Sequence, residues 1–390
     1  MAVNKLDITM MEDVGTSANQ LLQRDGSGNI PAIDGSLLTG VDPGFTVSTS
    51  DPVVTTNPSG GLGTKWINTT SGEVYICTDA TAGANVWTNV GAGSGDIQSF
   101  AFQGSSYGFQ VGGSPNPTNI YKFSLTSDSN AVDTNADLTV GAQQKACARS
   151  SAYSFNMGGH PYMNVVDRFA FVSTANAVDV GDISESVRWA AAGSTADYGY
   201  RAGGETTPAP YSNTIERFAY SATISISDVG DLTAQKWKSQ GNTSTTHGYV
   251  NGGRRSPAPN PSSEIEKYAF ASSGGGSDVG DLTEPHSEHA SASSTTHGYS
   301  AGGATSPYSD VIDRFAFSNE TTSTDWGDLT ETIGWTTGVS STTHGYVLGG
   351  TRGVGGLSNR IDKYPFASNA GATDAADLGY GLNSACGIQH

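Results

Sequence analysis

Six copies of one module fill the chain from about residue 97 onward, and nearly all the length variation between copies falls in one connection. Each copy carries a Gly-Gly doublet, at Gly112-Gly113, Gly158-Gly159, Gly203-Gly204, Gly252-Gly253, Gly302-Gly303 and Gly349-Gly350, so successive doublets start 46, 45, 49, 50 and 47 residues apart. Repeats of this length build propeller blades or helical pairs. An aromatic residue stands three positions before each doublet: Phe109, Phe155, Tyr200, Tyr249, Tyr299 and Tyr346. After it comes a short run such as Ile312-Asp313-Arg314-Phe315, with Phe317 two residues on, and an Asp-aliphatic pair closes the unit, from Asp137-Leu138 to Asp377-Leu378.

The spacing separates fixed parts from free ones. From a closing Asp to the next doublet the count is always 21, as from Asp182 to Gly203 and from Asp328 to Gly349. From the second Gly to the next aliphatic residue it runs 7, 7, 11, 12, 9 and 11. No segment holds a 3.6-residue apolar period, while β-branched and aromatic residues bounded by Gly, Ser, Asn and Asp dominate, which is strand chemistry. A doublet at a strand end supplies the positive φ that other residues reach only at a cost of roughly 1–2 kcal/mol. Each module is therefore expected to be a four-stranded antiparallel sheet. Such a sheet buries its faces only between neighbours, so a radial arrangement is expected.

With these residues in view, the repeat resembles the kelch family, whose blade has a strand ending in Gly-Gly, a strand with a fixed aromatic, and an outer Trp. The doublets and aromatics match in all six copies, whereas the outer Trp appears once, at Trp326. The resemblance covers about three quarters of the chain and implies an all-β fold: a six-bladed kelch-like β-propeller over 96–390. Only 13 residues, Leu378 to His390, follow the last closing Asp, enough for one strand but no further doublet. That strand is expected to complete the first blade, whose lead-in is short.

Composition bounds the partners. With net charge −18 the chain is a poor ligand for nucleic acid or an anionic membrane. No basic segment followed by an apolar run opens the chain, and no stretch near 20 apolar residues occurs, so neither signal-peptide secretion nor membrane insertion is expected. Three cysteines, Cys77, Cys147 and Cys386, are too few for a disulfide framework or a zinc site and are read as buried thiols, although Cys147 and Cys386 fall on neighbouring innermost strands.

The first 95 residues differ. Residues 17–40 place turn signals at Asp25-Gly26 and Asp34-Gly35 among short apolar clusters, too little to fold alone. The run Asn-Gln-Leu, then Asp-Gly-Ser-Gly-Asn, then Asp-Gly-Ser-Leu-Leu-Thr resembles the virion-attachment stretch of bacteriophage tail fibres and related structural proteins. Residues 43–93 read as a three-stranded meander around Thr70-Ser71-Gly72, with Trp66 and Trp87 as its core, and resemble a recurrent module of phage tail proteins. The expected organisation is an extended N-terminal tether at 1–42, a small β module and linker at 43–95, and the propeller.

In a kelch blade the connection after the Gly-Gly strand and the connection between blades share one face, so the uneven loops should converge. They carry Tyr162, Tyr211, Arg254, Arg255, Tyr308 and Arg352, which are the candidate binding residues because stiff aromatic and arginine anchors lose little entropy on binding. Repeated acids such as Asp228 and Asp231 recur at one position of each module and read as turn caps, and His247, His297 and His344 likewise read as structural. No catalytic residue, metal site or cofactor is assigned. The resemblance implies a phage virion structural protein, a tail-fibre adhesin on the particle surface that is synthesised in the host cytoplasm. Its partners would be other virion proteins through the N-terminal segment and a host-surface glycan or protein. Two alternatives are a capsid-bound head fibre or decoration protein and a polysaccharide-degrading tail enzyme. Fibres of this kind are often trimers through their N-terminal parts, so a homo-oligomer is also an expectation, although no heptad pattern appears.

Overall fold

The computed structural model describes residues 45–90, 100–208, 210–319 and 322–390, so the expected tether at 1–42 and the glycine joint at 91–95 lie outside the described residues. The chain divides into two units, Met1–Ser99 and Phe100–His390. It is all-β: among the described residues every regular element is a strand, and these form several sheets.

In the first unit Gly72, at φ +79°, turns Lys65–Asn68 back onto Val74–Asp79, and Val86–Asn89 follows. The sheet has one strand more than the meander read from the sequence. Phe45–Ser48 adds in parallel to Lys65–Asn68, held there because Trp66 donates its indole N–H to the Ser50 carbonyl at 2.9 Å and Asn68 donates to Asp51 at 2.7 Å. Trp87 and Tyr75 are fully buried, and Trp66 meets Trp87 edge-on at 5.8 Å.

In the second unit each module opens with a short strand: Cys386–Gln389, Ala146–Arg149, Ala191–Ser194, Gln240–Thr243, Ala290–Ser293 and Thr337–Ser340. Each pairs antiparallel with the strand that carries the doublet. The first sheet runs Cys386–Gln389, Tyr107–Val111, Asn119–Ser124 and Val132–Asp137, so the C-terminal strand completes the first module. The sheets are not all separate, as six four-stranded units would require. Modules two and three share one eight-stranded sheet. Val178–Arg188 runs on through the connection, and the free edge beyond the third doublet accepts it, pairing Val187 with Thr206 and Arg188 with Glu205. In the fourth module the same two stretches form a separate ribbon of Gln235–Trp237 with Arg254–Ser256.

All twelve doublet glycines have positive φ. The first of each pair is also a point of close approach: a Cβ on Gly158 would stand 2.3 Å from the Val187 carbonyl oxygen, and one on Gly112 would stand 2.4 Å from that of Ala142. Both the conformation and the contact exclude a side chain.

Neighbouring modules are joined through the aromatic before each doublet. Phe109, Phe155, Tyr200, Tyr249 and Tyr299 each meet the strand aromatic of the following module, Phe169, Phe218, Tyr268, Phe315 and Tyr364, at centroid distances of 5.5 to 5.8 Å. Tyr346 of the last module meets Phe123 of the first at 5.5 Å, and its hydroxyl donates to the Leu125 carbonyl at 3.3 Å. Pairs of this kind contribute about 0.5–1.5 kcal/mol each beyond their buried area. The first strands also lie side by side from module to module, Thr337–Ser340 beside Cys386–Gln389 and that beside Ala146–Arg149. Glycine permits the approach: a Cβ on Gly241 or Gly338 would fall 2.0 Å from a neighbouring carbonyl oxygen.

Cys147 and Cys386 form a disulfide across two of these strands, with Cα atoms 6.2 Å apart, which corrects the reading of both as free thiols; Cys77 is free and buried. Side-by-side packing of the first strands brings the two Cα atoms to a separation that a disulfide spans. The Cys147 sulfur also touches Asn156 Oδ1 at 3.0 Å, a contact without a shared proton once the sulfur is bonded.

Because Cys386–Gln389 is both the inner strand of the first sheet and a neighbour of the sixth module, deleting residues 379–390 removes a contact on each side. The truncated chain is expected to lose the single sharp thermal transition of the parent by calorimetry. A truncation that melts like the parent would contradict that pairing.

Candidate functional site

Strand direction sorts the connections between two ends of the second unit. Each first strand begins at one end, the doublet strand returns to it, and both the uneven loop and the connection to the next module lie there. Short bridges tie the two together, as Gln143 with His160, Ser114 with Asn383, and Ile333 with Arg352. The opposite end receives the chain. There Gln103 donates to the Ser293 carbonyl at 2.8 Å, Gly104 N–H to that of Ser340 at 2.8 Å, and Gln389 to that of Phe102 at 2.8 Å.

At the loop end, seven residues after each closing Asp, stands a residue that is not glycine yet has positive φ: Gln144 (61°), Trp189 (53°), Lys238 (57°), Glu288 (55°), Trp335 (58°) and Ser384 (56°). Their backbones form a cycle. Gln144 N–H donates to the Ser384 carbonyl at 2.7 Å, Trp189 to Gln144 at 3.0 Å, Lys238 to Trp189 at 3.0 Å and Glu288 to Lys238 at 3.0 Å. Thr336, next to Trp335, donates to Glu288 at 3.3 Å, and Ser384 to Trp335 at 2.9 Å. We call this group the collar. A left-handed non-glycine residue costs roughly 1–2 kcal/mol, and a backbone hydrogen bond returns about 0.5–1.5 kcal/mol net. Each bond therefore does no more than offset its own strain, and strained residues gathered at one point mark a site worth testing for function.

The collar side chains meet each other. Trp189 and Trp335 approach at 6.0 Å with planes at 63°, and the Lys238 ammonium lies 4.2 Å from one ring centre and 4.6 Å from the other. Lys238 pairs with the buried Glu288 carboxylate at 2.5 Å. The Arg188 guanidinium lies 4.1 Å from the Trp189 ring and is itself paired with Glu205 at 2.7 Å. Burial pushes the Glu288 carboxyl above the ordinary glutamate range, against the opposing pull of Lys238 and the positive charge of Arg254.

Of the residues read from the sequence, Tyr162 and Arg254 are brought to this group. Tyr162 donates its hydroxyl to Glu205 and lies under Arg188, 4.6 Å from ring to guanidinium. Burial first, then Glu205, push the Tyr162 phenol up, which keeps the donor protonated. Arg254 is exposed and acts on Glu288 through its charge. Tyr211 lies flat on Trp237 at 3.6 Å, the residue before Lys238. Arg255 turns to Glu264 at 3.6 Å and Arg352 to Glu331 at 3.0 Å, so both are held by their own modules. Tyr308 is half-buried in its loop.

The repeated acids divide into two groups. Asp179, Asp228, Asp278 and Asp325 each accept from the N–H two residues on, at 2.8 to 3.2 Å, and are turn caps. The acid within the aliphatic-aromatic run is buried instead. Glu266 accepts from Thr233 N–H at 2.8 Å and pairs with Lys236 at 3.0 Å, Glu216 pairs with Arg201 at 2.9 Å, and Asp362 accepts from Thr330. These carboxylates anchor the connection that leads to the collar, which accounts for its constant length. His247, His297 and His344 each open a strand beside a threonine hydroxyl at 2.8 Å.

The collar escaped the sequence reading because its six residues share a conformation and no chemistry; the available signal was the invariant seven-residue offset from the closing Asp. A search against known protein families finds no match to this chain, and a search of curated proteins finds none.

A folded pKa above the unfolded one means that the native state holds the Glu288 proton more tightly. This residue's contribution is then fully present below the unfolded glutamate value, about 4.3, and is lost as pH rises through the higher folded value. Glu288→Gln is expected to flatten the part of the Tm-against-pH curve that falls over that window, measured by scanning calorimetry. An unchanged slope would show that Glu288 does not titrate as its burial requires.

Proposed function

We propose that Phe100–His390 closes into a six-bladed kelch-like β-propeller and that its loop-and-collar end binds a ligand on a host cell surface, the protein being a bacteriophage virion component of the tail-fibre adhesin type. Three independent series support the ring. The collar hydrogen bonds, the aromatic pairs and the first-strand contacts each return from the sixth module to the first. Sheets that each leave an aromatic and an edge for the next favour a closed arrangement.

The observation that carries the binding role is polarity. Every uneven loop and every strained collar residue is gathered at one end, while Phe100–Gly104 brings the chain in at the other. A module tethered at one end and variable at the other is built to display. The phage assignment rests on the resemblances at 17–40 and 43–93, and the attachment of that N-terminal part to other virion proteins is proposed with it. Repeated carboxylates serve as caps and anchors, which favours binding over hydrolysis.

The labelled full-length chain is expected to bind host cells and to lose binding when the loop tips 207–210 and 257–260 are replaced by short turns, with Tm unchanged. Equal binding by the replaced protein would move the site elsewhere. Shortening of host polysaccharide on incubation would replace the adhesin by an enzyme.

A further inference from the structure

The collar has polar valences that the protein leaves open. Gln144 Oε1 is buried and accepts no hydrogen bond. The indole N–H groups of Trp189 and Trp335 find no acceptor among the described residues, in contrast to Trp66 and Trp326, which donate to carbonyls at 2.9 and 3.0 Å. An unpartnered acceptor beside two unpartnered donors suits a ligand rich in hydroxyls, since each hydroxyl both donates and accepts. The two indoles are half-buried and inclined at 63°; Arg188 and Lys238 both lie over Trp189, whereas Trp335 meets Lys238 alone and offers the apolar surface against which the C–H face of a sugar ring packs.

Charge selects among sugars. Lys238 is already neutralised by Glu288 at 2.5 Å and Arg188 by Glu205 at 2.7 Å, and the chain carries a net charge of −18. An anionic sugar would have to compete with Glu288 for Lys238 and Arg254 and with Glu205 for Arg188, whereas a neutral one meets no such penalty. The part-open recess lined by Gln144, Trp189, Lys238 and Trp335 offers about 30 Å³, room for one hydroxyl, so the sugar ring rests on the collar and a single hydroxyl reaches into the recess toward Gln144.

We infer that the collar, with Trp335 as stacking surface and Gln144 as acceptor, is a subsite for a neutral pyranose, such as a terminal hexose or N-acetylhexosamine of a surface glycan. This rests on the adhesin reading above and narrows it to one ligand class.

The test uses the full-length protein. Methyl glycosides of glucose, galactose and mannose, and N-acetylglucosamine oligomers, are compared with sialyllactose and oligogalacturonate by tryptophan emission and by saturation-transfer NMR. The expected result is that at least one neutral sugar shifts the emission and receives saturation, while the acidic sugars do neither. Trp335→Gly, whose backbone suits the positive φ and so preserves the fold, should weaken that binding by about tenfold or more. Trp335→Phe should retain part of it. Binding of acidic sugars as tightly as neutral ones, or full binding by Trp335→Gly, overturns the inference. Host-cell binding by a protein that takes no neutral sugar overturns it too and leaves the adhesin reading standing, whereas a protein that binds neither cells nor sugars overturns both.

Discussion

Six backbone amides, each donating to the module behind it, hold the loop end of the second unit together. The residues around them accept left-handed conformations that glycine would adopt freely, and they do so with side chains as large as tryptophan. One turn of backbone thereby fixes three things: where a connection ends, where the next first strand begins, and which side chains point at their counterparts from other modules. Removing a side chain there leaves the bond in place, whereas displacing the backbone would misplace both the strand that follows and the neighbour's acceptor.

From that constraint the constant and variable lengths follow. Between the closing Asp and the next doublet every few residues are anchored: the aliphatic residue after Asp is buried, the Thr or Ser beyond it caps a buried carboxylate of the next module, the collar residue bonds its neighbour, and the first strand pairs. An insertion anywhere in that stretch would break a bond or bury an unpaired group, at about 1–3 kcal/mol for each polar group left without a partner. The loop after the doublet has its base bridged to the connection and its tip in solvent, so it lengthens at little cost. The proposed recognition by long loops around a fixed centre rests on this division.

Much of this was legible from residue identities. Positive φ at the doublets, the strand period around Ile312-Asp313-Arg314-Phe315, the aromatic three before each doublet and the C-terminal strand all follow from side-chain type and count. What was not legible depended on contacts between distant residues. Phe45–Ser48 had no strand assigned from the sequence, because its pairing depends on Ser50 and Asp51 holding it against Lys65–Asn68. Asp167, Glu216 and Asp313 carry no sign of burial in their own short runs, and they are buried because the connection to their own module folds over them. Among the candidate loop residues, the arginines with an acid close by turned inward, Arg255 to Glu264 and Arg352 to Glu331, a pairing that loop length alone does not reveal.

The proposed closed ring requires the collar bonds to open together and not module by module. Native-state hydrogen exchange of the backbone amides of Gln144, Trp189, Lys238, Glu288, Thr336 and Ser384 measures this directly. A closed cycle predicts six slow amides that exchange with one common free energy, close to that of global unfolding. Separate rates, with some of these amides exchanging as fast as the loop tips, would show an open array and contradict it.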